Sequence, residues 1–175
     1  MNPDEALNKN TDITISIFVY GTLKRGYRNH DRFCRSALEI QPATTWGRLY
    51  DLPAGYPVLV VPKSAILAHG TSDPLADAEI QMQIDSGTLS FDRQIGDWDL
   101  IQGELVTFID PLRDLPPIDQ LEGFRPGGDS MYQRVLVAVN SGQSPCVAWV
   151  YDGSQMKSRS KFRIQNGLWN GLQTG

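Results

Sequence analysis

Ile17-Phe18-Val19-Tyr20-Gly21-Thr22-Leu23-Lys24-Arg25-Gly26 decides how this chain folds, because an apolar strand runs into Tyr20-Gly21-Thr22-Leu23 and stops. A glycine at a strand end lets the backbone turn sharply and releases the next amide N–H groups from ladder pairing, so that they point at a ligand oxygen. The stretch predicts a core strand at about residues 14–20 and an oxygen-binding loop at Gly21, Thr22 and Leu23, with Tyr20 closing one wall.

Outward from that strand, residues 1–12 are polar, include Pro3, and read as a flexible N-terminal tail. On the other side, Phe33 and Ala37 stand at helical spacing behind Asn29, a good N-cap residue, which predicts a short helix within residues 28–37. Residues 43–52 and 57–61 read as strands, the second a Val/Leu run bounded by proline, with Pro53-Ala54-Gly55-Tyr56-Pro57 as the turn between them. Further strands are expected at 101–109, 131–139 and 146–151, the last two forming a hairpin through Ser141-Gly142-Gln143. Residues 111–117 lead into a short helix at 117–122 that Gly123 ends. Strands interrupted by few, short helices give an α+β domain over residues 13–153.

A chain of 175 residues with 41% hydrophobic content is the size and composition of one soluble domain. Its net charge of −4 lacks the basic footprint of a nucleic-acid binder, so no nucleic-acid partner is expected. No apolar run reaches the roughly 20 residues that span a bilayer, and the N-terminus has no basic or apolar leader pattern, so a cytoplasmic protein without a membrane partner is expected. Cys34 and Cys146 are far apart in sequence and fit a reducing compartment. Two histidines, His30 and His69, without a Cys-x-x-Cys pair predict no metal, and the absence of a glycine-rich phosphate motif predicts no nucleotide cofactor.

Residues 64–99 depart from the rest. Seven acids (Asp73, Asp77, Glu79, Asp85, Asp92, Asp97, Asp99) face one base, Arg93, a local charge of −6. Ile80, Met82 and Ile84 alternate with polar residues, as do Leu89 and Phe91, which predicts an extra hairpin around Ser86-Gly87. The spacing of Asp92, Asp97 and Asp99 lacks the glycine and terminal glutamate of a calcium loop, so a solvated acidic segment is expected. By contrast, residues 154–175 carry Lys157, Arg159, Lys161 and Arg163 and no acid. This basic extension either packs its aromatics on the core or lies against the acidic segment.

One carboxylate is set apart by its neighbours. In Ile118-Asp119-Gln120-Leu121-Glu122-Gly123-Phe124, Glu122 falls at the helix end beside Leu121 and Phe124, which desolvate it and make it a candidate proton carrier. This segment, the Tyr20 to Leu23 loop, Gly47-Arg48-Leu49-Tyr50-Asp51-Leu52 and Tyr132-Gln133-Arg134-Val135 together resemble the γ-glutamylcyclotransferase-like superfamily, in its AIG2-like or YtfP-like branch. The resemblance covers about residues 15–151, and Ile118 replaces the leucine usual in the Leu-Asp-x-x-Glu-Gly motif. Against the family's usual spacing, residues 64–99 look like an insertion.

The resemblance implies a small mixed β-barrel with short peripheral helices and a cavity at one end. It also implies a reaction: the α-amine of a γ-glutamyl compound attacks its own γ-carbonyl, 5-oxoproline forms and an amine leaves. An intramolecular attack needs a folded substrate and a proton carrier rather than a protein nucleophile. Glu122 matches the family's general acid/base, Tyr20, Gly21, Thr22 and Leu23 its substrate loop, and Tyr132 a substrate-binding tyrosine that packing explains equally well. Arg134 reads as a cross-strand salt bridge, and His30-Asp31 as too isolated for nucleophilic catalysis. The rival readings are a non-catalytic protein that binds a small carboxylate or amino-acid derivative in the same cavity, and an interaction protein that docks a partner on residues 64–99. An enzyme is expected to keep its turnover when that segment is deleted.

Overall fold

A computed structural model describes residues 12–85, 87–142, 144–156 and 161–171, so the tail at 1–11, Lys157 and Arg159 lie outside the described residues. All six expected strands are present: β1 (Ile15–Val19), β2 (Glu39–Asp51), β3 (Pro57–Val60), β5 (Asp99–Phe108), β6 (Gln133–Asn140) and β7 (Pro145–Asp152), with two-residue strands β4 (Ala68–His69) and β8 (Phe162–Arg163) added. Five of them close a barrel in the order β1-β5-β2-β3-β7 and back to β1. The β1–β5, β5–β2 and β2–β3 pairings are antiparallel, whereas β3–β7 and β7–β1 are parallel, which makes the barrel mixed.

The apolar pattern explains the closure. Along β1, Ile15, Ile17 and Val19 join one buried cluster while Phe18 joins the other; β7 likewise divides Val147, Trp149 and Tyr151 from Ala148 and Val150. Strands buried on both faces read as continuous apolar runs. The cluster of Phe18, Leu49, Leu59, Ile101, Val137 and Val150 fills the barrel, and the other lies under the helices.

Strand β2 starts at Glu39, four residues earlier than expected, and runs through Pro42. Its first half pairs with β5 along Glu39 to Gly47 and meets β3 only from Arg48 onward, so a proline without an N–H sits where the strand has mainly one partner. The helix near residue 30 is a single turn, α1 (His30–Phe33).

Two corrections concern the longer helices. Residues 74–85 form helix α2 (Pro74–Asp85) rather than the first arm of a hairpin. Its buried face consists of Asp77, Ala78 and Gln81, a helical spacing hidden by polarity. The start signal was present: Asp73 Oδ1 accepts from the Leu75 and Ala76 amides at 3.1 Å each, with Pro74 at the first helical position. Polar side chains then bind α2 to strand backbone. Gln81 Oε1 accepts from Ser16 N–H at 2.9 Å, and Asp85 Oδ1 from Val147 N–H at 3.0 Å.

Helix α3 (Pro111–Leu121) begins six residues before the expected start at 117. Asp110 caps it by accepting from Arg113 N–H at 3.1 Å, and the interior prolines Pro116 and Pro117 are tolerated. The carbonyls they leave unpaired, four residues back at Leu112 and Arg113, belong to exposed residues.

The basic extension meets the acidic segment. Arg163 on β8 pairs with Asp97 at 2.5 Å and Asp99 at 3.0 Å, and Lys161 lies 4.5 Å from the Tyr50 ring centre. Further on, Trp169 is buried, its Nε1–H donating to Asp51 at 3.0 Å and its carbonyl accepting from the buried Lys24 ammonium at 2.7 Å. Among the described residues of 154–175, ion pairing at Arg163 and packing of Trp169 thus occur side by side, whereas Phe162, also expected to pack, is exposed. Both cysteines are free thiols. No described helix is long and apolar enough to cross a membrane.

Candidate active site

The end of β1 delivers the expected loop. Gly21 has no space for a side chain: a Cβ there would lie 2.6 Å from Cγ of Pro57. The loop is closed by Lys24 N–H to Gly21 O at 3.1 Å and Asn29 N–H to Thr22 O at 3.0 Å. Asn29 Nδ2 also donates to Thr22 Oγ1 at 2.9 Å, and His30 Nδ1–H donates to Leu23 O at 2.8 Å. His30 is thus a staple of the loop and not a base. Among the described residues, the amides of Gly21, Thr22 and Leu23 meet no acceptor.

Glu122 caps the C-terminus of α3, and Gly123, at φ +65°, turns the chain in the left-handed region that favours glycine. Its carboxyl makes no hydrogen bond or ion pair among the described residues. Burial first, and the charge of Asp119 second, push it up to about 7.

These parts share one cavity of about 200 Å³ at an end of the barrel, lined by all six residues singled out in the sequence: Tyr20, Gly21, Thr22, Leu23, Glu122 and Tyr132. Both tyrosines are buried and their hydroxyl protons are committed. Tyr20 donates to Tyr151 O at 2.7 Å and Tyr132 to Pro57 O at 2.9 Å, so they present rings and oxygen lone pairs to the cavity. Burial holds both hydroxyls above their ordinary range, so they stay neutral.

Several lining residues were not expected at the site from the sequence: Arg28, Asn29, Tyr56, Met131 and Tyr151. Arg28 is exposed and forms no ion pair among the described residues. Tyr151 donates to Asp119 Oδ1 at 2.7 Å. Asp119 also receives Arg134 Nε–H at 2.8 Å and Nη2–H at 3.3 Å. Arg134, fully buried, is therefore no cross-strand pair: its Nη1 reaches Asp77 on α2 at 2.8 Å, and Nη2 donates to Thr71 O at 3.0 Å. No sequence pattern marks these contacts, since they join residues 15 to 63 positions apart. Among the described residues no cluster of three or more His, Cys, Asp or Glu side chains is arranged to hold a metal ion.

The raised Glu122 carboxyl bears on stability. A carboxyl that protonates more readily in the fold than in the unfolded chain stabilises below the unfolded value near 4, and that contribution is lost as pH rises through about 7. The full linkage is on the order of 3 kcal/mol, and the partial exposure of Glu122 reduces it to about 2 kcal/mol. Glu122→Gln, neutral at every pH, is expected to unfold at a higher temperature than the wild type at pH 8 and at a similar one at pH 4. A thermal melt of both proteins at the two pH values checks this, and equal melting temperatures at pH 8 would refute the assigned burial.

Known proteins bear out the architecture. The family model described as "Gamma-glutamyl cyclotransferase, AIG2-like" matches residues 17–85 and 90–171, which take in α2 and the cavity. The crystal structure of YkqA from Bacillus subtilis is similar at TM-score 0.52 and 20% identity, over 89% of this chain and 39% of that one, so this chain spans well under half of YkqA. The solution structure of At5g39720.1 from Arabidopsis thaliana is similar at TM-score 0.53 and 17% identity, over 90% of this chain and 78% of that one. No protein of curated function matches the sequence. With the family model matched across nearly the whole described chain, and the mixed barrel in place, this chain belongs to the gamma-glutamyl cyclotransferase, AIG2-like family.

Proposed function

We propose that this protein cyclises a γ-glutamyl amide or γ-glutamylamine, releasing 5-oxoproline and a free amine. One observation carries the reading: Glu122, held near neutral pKa and unpaired among the described residues, shares a cavity with the amides of Gly21, Thr22 and Leu23, which meet no acceptor there. The amides supply donors for an oxygen that carries or gains negative charge, the substrate carboxylate or the γ-carbonyl oxygen under attack. Glu122 accepts the proton of the substrate ammonium, the freed amine attacks the γ-carbon, and the protonated Glu122 returns the proton to the leaving amine. A carboxyl near pH 7 suits both halves of that transfer. Tyr20 and Tyr132 wall the glutamyl part, and Arg28 is available to an anionic group of the substrate.

A non-catalytic carboxylate-binding protein is the weaker reading, because a carboxylate ligand beside Glu122 would be repelled whereas an ammonium beside it is attracted. The test is 5-oxoproline release, followed by mass spectrometry, from γ-glutamyl amino acids, glutathione and γ-glutamylamines. Release with an equal amount of free amine is expected. Binding of these compounds without release would favour the carrier.

A further inference from the structure

A buried charge cluster includes Asp119, three residues before Glu122, and nothing in the proton transfer just described uses it. Arg134 lies between two carboxylates, Asp77 of α2 and Asp119 of α3, at 2.8 Å from each. Asp77 and Arg134 are wholly buried; Asp119 is partly so. Two carboxylates against one guanidinium leave the cluster with one uncompensated negative charge. Three donors converge on Asp119, two from Arg134 and the Tyr151 hydroxyl. Asp119 on α3 precedes the C-cap Glu122 by three residues, a spacing that sets Cβ atoms about 5–6 Å apart on one face.

We propose that Asp119 is a positioning residue for Glu122: clamped by Arg134 and Tyr151, it fixes the end of α3 and holds a negative charge against the Glu122 carboxyl, with Asp77 as the remote anchor of the clamp. This rests on the reading of Glu122 as the acid/base. The clamp is built for an ionised Asp119, since all three of its donors favour the charged form. Burial, with the Asp77 charge adding to it, holds the Asp119 carboxyl above its ordinary value, and Arg134 and Tyr151 oppose that rise.

The other groups around Glu122 do not supply this charge. Tyr20 from the end of β1, Tyr132 beside β6 and Tyr151 on β7 are kept neutral by burial. Tyr56 comes from the β2–β3 turn, and Arg28 from the loop after β1 carries the opposite sign. Arg134 on β6 is already shared with Asp77. Asp119 is accordingly the carboxylate that raises Glu122 beyond what burial alone does. The clamp also gives residues 64–99 a part in the site, because Asp77 belongs to them. Their deletion would strip Arg134 of one carboxylate and β1 and β7 of the Gln81 and Asp85 contacts, so the expected survival of turnover in that deletion does not fit this packing.

The test is direct titration of Glu122 by 13C NMR in the full chain, with its carboxyl resonance assigned as the signal missing from Glu122→Gln. Asp119→Asn leaves Arg134 balanced by Asp77, and the Glu122 midpoint is expected to fall by about one pH unit. An unchanged midpoint in folded Asp119→Asn would overturn the proposal. Asp77→Asn, remote from the cavity, is expected to move the midpoint the same way by less. If Asp119→Asn does not fold, an unmoved or raised midpoint in Asp77→Asn is the overturning result. Because the signal needs no turnover, a shifted midpoint in a protein that releases no 5-oxoproline would separate failure of the cyclisation reading from failure of this one.

Discussion

Glu122→Gln is expected to lose 5-oxoproline release by a factor of about a hundred or more, the scale of general acid/base catalysis. Gln keeps the shape of the side chain and removes its proton exchange. Wild-type activity is expected to rise with pH along a limb centred near the Glu122 value of about 7, because the carboxylate is the form that accepts the ammonium proton. Residual activity of the variant should lack that limb. Since the same substitution is expected to raise stability at pH 8, inactivity of the variant cannot be laid to unfolding. A variant with wild-type turnover, or one that keeps the limb, would place the proton carrier elsewhere.

Arg134→Ala is expected to destabilise the protein by about 3–5 kcal/mol, the cost of leaving a buried charge without its partner. Asp77 is wholly buried and would keep only its Thr71 contacts at 2.8 and 2.9 Å. The guanidinium also lies 4.9 Å from the Phe124 ring centre and 5.1 Å from that of Trp149, so its loss removes packing at the turn that follows Glu122. Urea unfolding of wild type and variant measures the difference. A loss below about 1 kcal/mol, the range of surface pairs, would show that the cluster is more hydrated than its burial implies.

The strands and the loop were legible because both are local. Ile15 to Val19 and Val147 to Tyr151 are buried on both faces and therefore read as unbroken apolar runs, and a glycine after such a run marks where the ladder stops. Glu122 was legible from its place before a helix-ending glycine between apolar Leu121 and Phe124, although the tyrosines that share its cavity, Tyr20, Tyr56, Tyr132 and Tyr151, come from distant strands and turns. Helix α2 was hidden because the face it buries is Asp77 and Gln81, side chains that sequence patterns assign to solvent, while Ile80, Met82 and Ile84 mimic a strand period. The Asp73-Pro74 start signal outweighs that alternation once the cap is considered. The first half of α3 is hidden in the sequence by Pro116 and Pro117, since interior prolines ordinarily break a helix; here the carbonyls they orphan belong to exposed residues. Arg134 was expected to form a salt bridge, but its partners were not legible in the sequence. Its partners come from α2, α3 and the segment before α2, and only the closed barrel brings them together.

The proposed cyclisation requires that the substrate amine, not water, attack the γ-carbonyl. It is tested most directly by turnover of a γ-glutamyl compound in water enriched in 18O, with mass analysis of the product. Cyclisation gives 5-oxoproline that carries no solvent oxygen, released in equal amount with the free amine; glutamate carrying one 18O atom in its γ-carboxyl would instead show that water attacks.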